Sequence, residues 1–180
     1  MVNPSKKPTL MGSVKSDPSY KKFQLILKNT LEKLDFERSL KEAQTLHASR
    51  TSRSLMGNDR YSPKKIIDAA VKDLSTRARL VEIRVANDRN LSHLRSAVEA
   101  LRRYISTEYS EELRDFSTAD QRKSFVDRVM RSAHEVLEQG DAVMNVVDHL
   151  IKDIDQSSHA MRHVVDCLKL LENKNGSKVI

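Results

Sequence analysis

The chain has 180 residues, of which 38% are apolar, 32% charged and only 4% aromatic, with four glycines and four prolines. This supports one domain with a modest core and argues against a turn-rich all-β fold, because a charged, aliphatic, glycine-poor composition is what long helices use. No apolar run reaches the roughly 18 residues of a membrane span, no leader pattern opens the chain and the single Cys167 allows no intramolecular disulfide, so a cytoplasmic protein without a membrane partner is expected.

The formal net charge of +7 is concentrated toward the N-terminus: residues 1–62 hold 12 Lys and Arg against 6 Asp and Glu, residues 63–116 hold 11 against 9, and residues 117–180 hold 9 against 10. Residues 1–16, with Lys6, Lys7, Lys15, two prolines and no acid, read as a flexible basic arm. Asp17 followed by Pro18 is a helix start, because the carboxylate caps free N–H groups and proline at the first helical position loses nothing. The first helix is expected over 18–48, with Tyr20, Phe23, Leu27, Leu31 and Leu34 at helical spacing and Leu40, Ala43 and Leu46 continuing less regularly. Polar, basic residues 49–62, which include Gly57-Asn58, form a predicted loop.

Ser62-Pro63 repeats the start signal, and a second helix is expected over about 63–114. Ile67, Val71, Leu74, Ala78, Val81 and Val85 make one heptad row, and Leu91, Leu94, Val98, Leu101 and Ile105 make another. The rows are out of phase, so a local irregularity is expected at Asn87-Asp88-Arg89-Asn90. Thr118 and Gln121 form a capping-box pattern for a third helix over about 119–172, with a tail at 173–180. That helix carries the strongest pattern, a stripe that includes Val147, Ile151, Ile154, Met161, Val165 and Leu168 and is flanked by a second apolar row repeating every seven residues.

The fold class expected is therefore all-α: residues 17–180 as a single helical domain, with helices two and three forming a long antiparallel hairpin of roughly 75 Å at about 1.5 Å per residue. In that register, residues whose numbers sum to about 233 face each other. Arg95 then falls beside Glu138, Arg102 near Glu135, Arg84 near Asp148, and Arg77 near Asp153 or Asp155, as interhelical ion pairs. The stripe on helix three is wider than one partner helix can cover, so a homo-oligomer joined through that seam is expected, with a monomeric bundle as the alternative. Ser157 and Ser158 form a polar layer that sets register or simply allows close approach.

Chemistry is sparse. Asp155, His159 and His163 are spaced at i, i+4 and i+8, with Asp166 three residues on, but they fall away from the stripe and read as a solvated face rather than a metal site. Cys167 flanks the seam and reads as an inert packed thiol. With no nucleophile elbow, HExxH or phosphate-cradling glycine loop, no catalytic residue, metal or cofactor is expected and the protein reads as a non-enzyme. The strongest functional signal is Arg50, Arg53, Arg60, Tyr61, Lys64 and Lys65: five cations that neutralise phosphates and a ring on which a base stacks, a set suited to single-stranded nucleic acid.

The stretch from Ile151 to Asp166, with Ala160, an apolar residue, a basic residue, His163, an apolar residue and Asp166, resembles the C-terminal helix of phage recombination mediators of the UvsY type. The resemblance spans some twenty residues. It implies a small, basic, helical, oligomeric protein that binds single-stranded DNA and helps load a recombinase where single-strand-binding protein competes, so both proteins become expected partners. Two other readings remain open: a DNA-packaging adaptor resembling a phage terminase small subunit, and a structural or chaperone-like helical assembly protein that binds no nucleic acid.

Overall fold

The computed structural model describes residues 9–50 and 63–176, and in the second stretch the side chains of 64–170. Among the described residues there is no strand, and seven helices follow in order: α1 (Leu10–Ser16), α2 (Pro18–Lys33), α3 (Phe36–Ala48), α4 (Pro63–Glu108), α5 (Ser110–Leu113), α6 (Ala119–Val129) and α7 (Arg131–Gly176). The long helix α4 packs against α7, the expected helical hairpin. The contacts group into two compact units: residues up to 35 with 87–141, and residues 36–86 with 142 onward.

In the first unit, residues 10–16 are not part of a free arm. They form α1, capped by the Thr9 hydroxyl, which accepts the Gly12 N–H, and Val14 is buried to 1% exposure. Residues 1–8 lie outside the described residues. Asp17 caps α2 as its sequence predicts, with Oδ1 accepting the Ser19 N–H at 2.7 Å. Its Oδ2 accepts the hydroxyls of Tyr104 and Tyr109, each at 3.0 Å, so the same carboxylate that starts α2 also ties it to the end of α4.

Burial favours the neutral acid at Asp17, but the Ser19 N–H and the two phenols outweigh it and hold the pKa below the usual carboxylate range. The stabilisation from Asp17 is therefore complete above its ordinary pKa of about 3.9 and is lost as pH falls through the lower folded value. Burial, then Asp17, pushes the Tyr109 phenol up to about 12. That contribution has the opposite sense: it is present below the ordinary tyrosine pKa and lost as pH rises through about 12.

Leu91, Leu94, Val98, Leu101 and Ile105 of α4 are all buried in the first unit, as their heptad row predicts. Helix three is interrupted at Met130, which leaves helical geometry at φ −102° and ψ 11° and separates α6 from α7. Helix two likewise stops at Tyr109, with φ −104° and ψ 27°, before the short α5. Two expected ion pairs are displaced. Arg95 pairs with Asp141 and Asp88 rather than Glu138. Arg102 pairs with Asp127 at 3.0 Å and Glu99 at 2.7 Å, while Glu135 pairs with Arg131 one turn away.

In the second unit, α3, the start of α4 and the later part of α7 enclose a core of Ala43, Leu80, Ile83, Val147 and Ile154, against which Leu46, Leu150 and Ile151 pack. The expected register holds here: Arg84 donates to Asp148 at 2.6 Å and Arg77 to Asp155 at 2.7 Å. The first helix divides at Leu34 and Asp35, where the apolar spacing becomes irregular.

The heptad row Ile67, Val71, Leu74 and Val85 is a correction: these four are 54–61% exposed. The inward face of α4 is the adjacent row, Ile66, Ala69, Asp73, Leu80 and Ile83. It continues through Asn87 to Leu91 by two successive steps of four, a stutter within an unbroken helix where a local irregularity was expected.

The seam on α7 is also divided. Val147 and Ile154 are buried within the chain and are not available for self-association, Ile151 packs on the same core, and Met161, Val165 and Leu168 are half-buried. The Ser157 hydroxyl donates to the Asp153 carbonyl of its own helix at 2.8 Å. Cys167 is exposed rather than packed.

Gly140 sits where α7 meets α4 in the first unit. A Cβ there would lie 2.5 Å from Leu91 Cδ1 and 2.7 Å from Cδ2, and Leu91 is itself fully buried, so its side chain would have to shift within the core. Helix propensity alone makes Gly140→Ala stabilising by about 1 kcal/mol. Overpacking of about 1–3 kcal/mol opposes it, and we expect a net loss of stability in urea denaturation; a variant more stable than the parent contradicts this packing.

Candidate nucleic-acid interface

Local sequence explains how the C-terminal end of α3 reaches α4 and α7. His47 and Arg50 are three positions apart, so the end of α3 directs both toward one side of the chain. Arg50 Nε donates to Asp73 Oδ1 at 3.0 Å and Nη2 to Asp73 Oδ2 at 2.8 Å, a bidentate pair, and Nη1 donates to Asp153 Oδ2 at 2.8 Å. His47 Nε2 lies 2.7 Å from the same Asp153 oxygen and 3.1 Å from Arg50 Nη1. The Arg50 and Asp73 side chains are 1% and 0% exposed, whereas Asp153 is 50% exposed.

The electrostatics follow from these contacts. Hydrogen bonding to Asp73 raises the Arg50 pKa further above its ordinary value, against the opposing effect of burial. The His47 hydrogen bond, opposed by burial and reinforced by Arg50, holds the Asp153 carboxyl below the usual carboxylate range. Stabilisation from Asp153 is thus present above about pH 3.9 and lost as pH falls through its folded pKa.

This geometry redistributes the six residues that the sequence singles out. Arg50 is buried and all three of its guanidinium nitrogens meet carboxylates, so it has no side left for a phosphate and acts as an anchor. Arg53, Arg60 and Tyr61 lie outside the described residues. Lys64 and Lys65 are exposed on the first turn of α4, which contains no acid. The predicted basic segment is therefore bounded by a buried ion pair on one side and by the N-terminus of α4 on the other.

Asp73 carries no mark in the linear pattern, because the heptad row Ile67, Val71 and Leu74 places the inward face of α4 elsewhere. The structure places it inward between Ala69 and Leu80, where a buried carboxylate needs a cationic partner.

Among the described residues, no three His, Cys, Asp or Glu are arranged to hold a metal ion. Asp155 is taken by Arg77, and His159, His163 and Asp166 are exposed. Among the described residues, no helix is long and apolar enough to cross a membrane. Comparison with protein-family models, curated proteins and solved structures returned no match.

Removing one partner of a buried ion pair leaves an uncompensated charge, which costs about 3–5 kcal/mol. Arg50→Ala is therefore expected to destabilise the chain by that order in chemical denaturation. The double variant Arg50→Met, Asp73→Leu should recover much of the loss, because it removes both charges together; a single variant as stable as the parent contradicts the anchor.

Proposed function

We propose that the protein is a non-enzymatic nucleic-acid-binding accessory protein that contacts phosphates through residues 51–65 and favours single-stranded DNA. The observation that carries this reading is the start of α4, where Lys64 is exposed and no acid occupies the first turn. A helix N-terminus is already the positive end of the backbone dipole, so acids there are stabilising and lysines are not. Lys64 at that position adds positive potential close in sequence to Arg53, Arg60 and Tyr61, at a cost in helix stability that phosphate binding offsets. Arg50 contributes by holding one end of the segment on Asp73 and Asp153.

The resemblance of residues 151–166 to UvsY-type mediators makes recombinase loading the accessory role we favour, with the recombinase and single-strand-binding protein as partners. A second reading, a helical assembly protein that binds no nucleic acid, is supported by the exposed row Ile67, Val71, Leu74 and Val85, which has the heptad spacing of a helix-pairing face. Self-association of the chain fits either reading.

The triple variant Arg53→Ala, Arg60→Ala, Lys64→Ala should keep the parent's helicity and lose affinity for an oligothymidylate. Its slope of log affinity against log salt should become shallower by about 0.7 for each lost single-strand phosphate contact. Tyr61→Ala should weaken binding with the slope nearly unchanged, since stacking is worth roughly 1–3 kcal/mol per base and carries little charge. Parent-like binding by both variants removes this segment as the contact.

Leu74→Asp distinguishes the role of the exposed row: it should lower the sedimenting mass at micromolar concentration without loss of helicity. An unchanged mass shows that the row does not join copies of the chain.

A further inference from the structure

The first unit contains a cavity that no linear charge run announces. Arg102 and Ser106, one turn apart near the end of α4, Ser110 of α5, Arg114 just after it, and Arg122 and Lys123 of α6 line a volume of about 430 Å³. Leu113 and Val126, both 5% exposed, provide its apolar floor. Three elements thus bring four cations and two hydroxyls together, and none of the lining residues is a carboxylate.

The convergence has local causes. Tyr109 interrupts α4 so that α5 turns away from its line, buried Leu113 pins α5, and the Thr118 hydroxyl caps α6 by accepting the Gln121 N–H at 3.2 Å. The four cations are not equivalent. Arg102 is held by Glu99 and Asp127, which fix its position and balance its charge. Arg122 donates from Nε only to the Phe116 carbonyl, at 3.4 Å. The side chains of Arg114 and Lys123 are exposed and have no hydrogen bond or ion pair among the described residues.

The geometry points to a phosphate-binding site in this cavity, for a phosphate carried on an organic group. Arg114 and Arg122 offer more N–H donors than the two oxygens of a carboxylate can accept, and with Lys123 and two hydroxyls they match the three or four acceptor oxygens of a phosphate. The volume exceeds that of a bare oxyanion and falls at the lower end of small-molecule sites, which leaves the apolar floor for whatever the phosphate is attached to.

Glu111, Glu112, Asp115 and Asp120 are exposed on the same stretch without lining the cavity. They damp the long-range field, so recognition depends on short-range contacts rather than on steering. The site uses no residue of the 50–65 segment and lies in the other unit, so it stands or falls independently of the function proposed above.

The test is a titration of the full chain, isotopically labelled and in phosphate-free buffer, with inorganic phosphate, thymidine monophosphate and an oligothymidylate in separate arms. Arginine Nε–H and backbone amide resonances provide the readout. The expected result is perturbation at Ser110, Arg114 and Arg122, with affinity reduced about tenfold or more in Arg114→Gln, Lys123→Gln, which removes two charge-assisted contacts. Both residues are exposed, so circular dichroism of that variant should match the parent.

A response to thymidine monophosphate or phosphate identifies a terminal phosphate, and a response to the oligothymidylate alone identifies a backbone phosphodiester; either supports the site. Should the double variant lose helicity, Arg122→Lys carries the same comparison, since it keeps the charge but loses the planar fork. No perturbation by any of the three probes, or parent-like affinity in the folded variants, overturns the proposal.

Discussion

A carboxylate with no exposed surface must find a cation, and Asp73 finds Arg50. Much of the second unit follows from that requirement. To place Asp73 inward, α4 turns Ile66, Ala69, Leu80 and Ile83 toward the core and leaves Ile67, Val71, Leu74 and Val85 on the outside. To deliver the guanidinium, α3 must end where Arg50 can reach both Asp73 and Asp153, and this brings Ala43 and Leu46 against Leu80, Ile83, Val147 and Ile154. The ion pair is weak evidence for stability in itself, because desolvation offsets much of its attraction. Its effect is on which face is buried.

The first unit is organised by close approach and by a shared carboxylate. At Gly140 the absence of a side chain lets Leu91 pack onto the backbone of α7. Asp17 serves one helix as its cap and another as the acceptor for two phenols, so the start of α2 cannot form its full set of hydrogen bonds without the end of α4 in place. Acid weakens both units through the same linkage, since Asp17 and Asp153 both carry pKa values below the usual carboxylate range.

These arrangements change which charges are available for recognition. Arg77, Arg84 and Arg95 bind carboxylates of α7, and Arg50, which the sequence offers as a phosphate contact, binds one carboxylate of α4 and one of α7. The cations without such partners include Arg114 and Lys123, far in sequence from the basic N-terminal third. Net charge by segment therefore locates solvated charge poorly in a protein built of long helices, because neighbouring helices neutralise many of the arginines that the count includes.

Sequence alone determined the helical class, the α4 and α7 hairpin, the cap at Asp17, the Thr118 cap on α6 and the buried row from Leu91 to Ile105. All of these rest on interactions within one helix, or on apolar periodicity that a polar residue does not interrupt. The pairs Arg84 with Asp148 and Arg77 with Asp155 were legible because each joins opposite charges at facing positions of an antiparallel hairpin. Tertiary structure decided the rest. The inward face of α4 before Asn87 could not be read from hydrophobicity, because its central residue is a carboxylate whose burial is possible only when Arg50 arrives from another helix. Arg95 pairs with Asp141, about one turn from the expected Glu138, and Arg102 reaches Asp127 of α6, which a break that no proline or glycine marks separates from α7 at Met130. The cavity around Arg114 exists only because three helical segments meet, and a one-dimensional pattern holds no record of residues that become neighbours through turns at Tyr109 and residues 114–118.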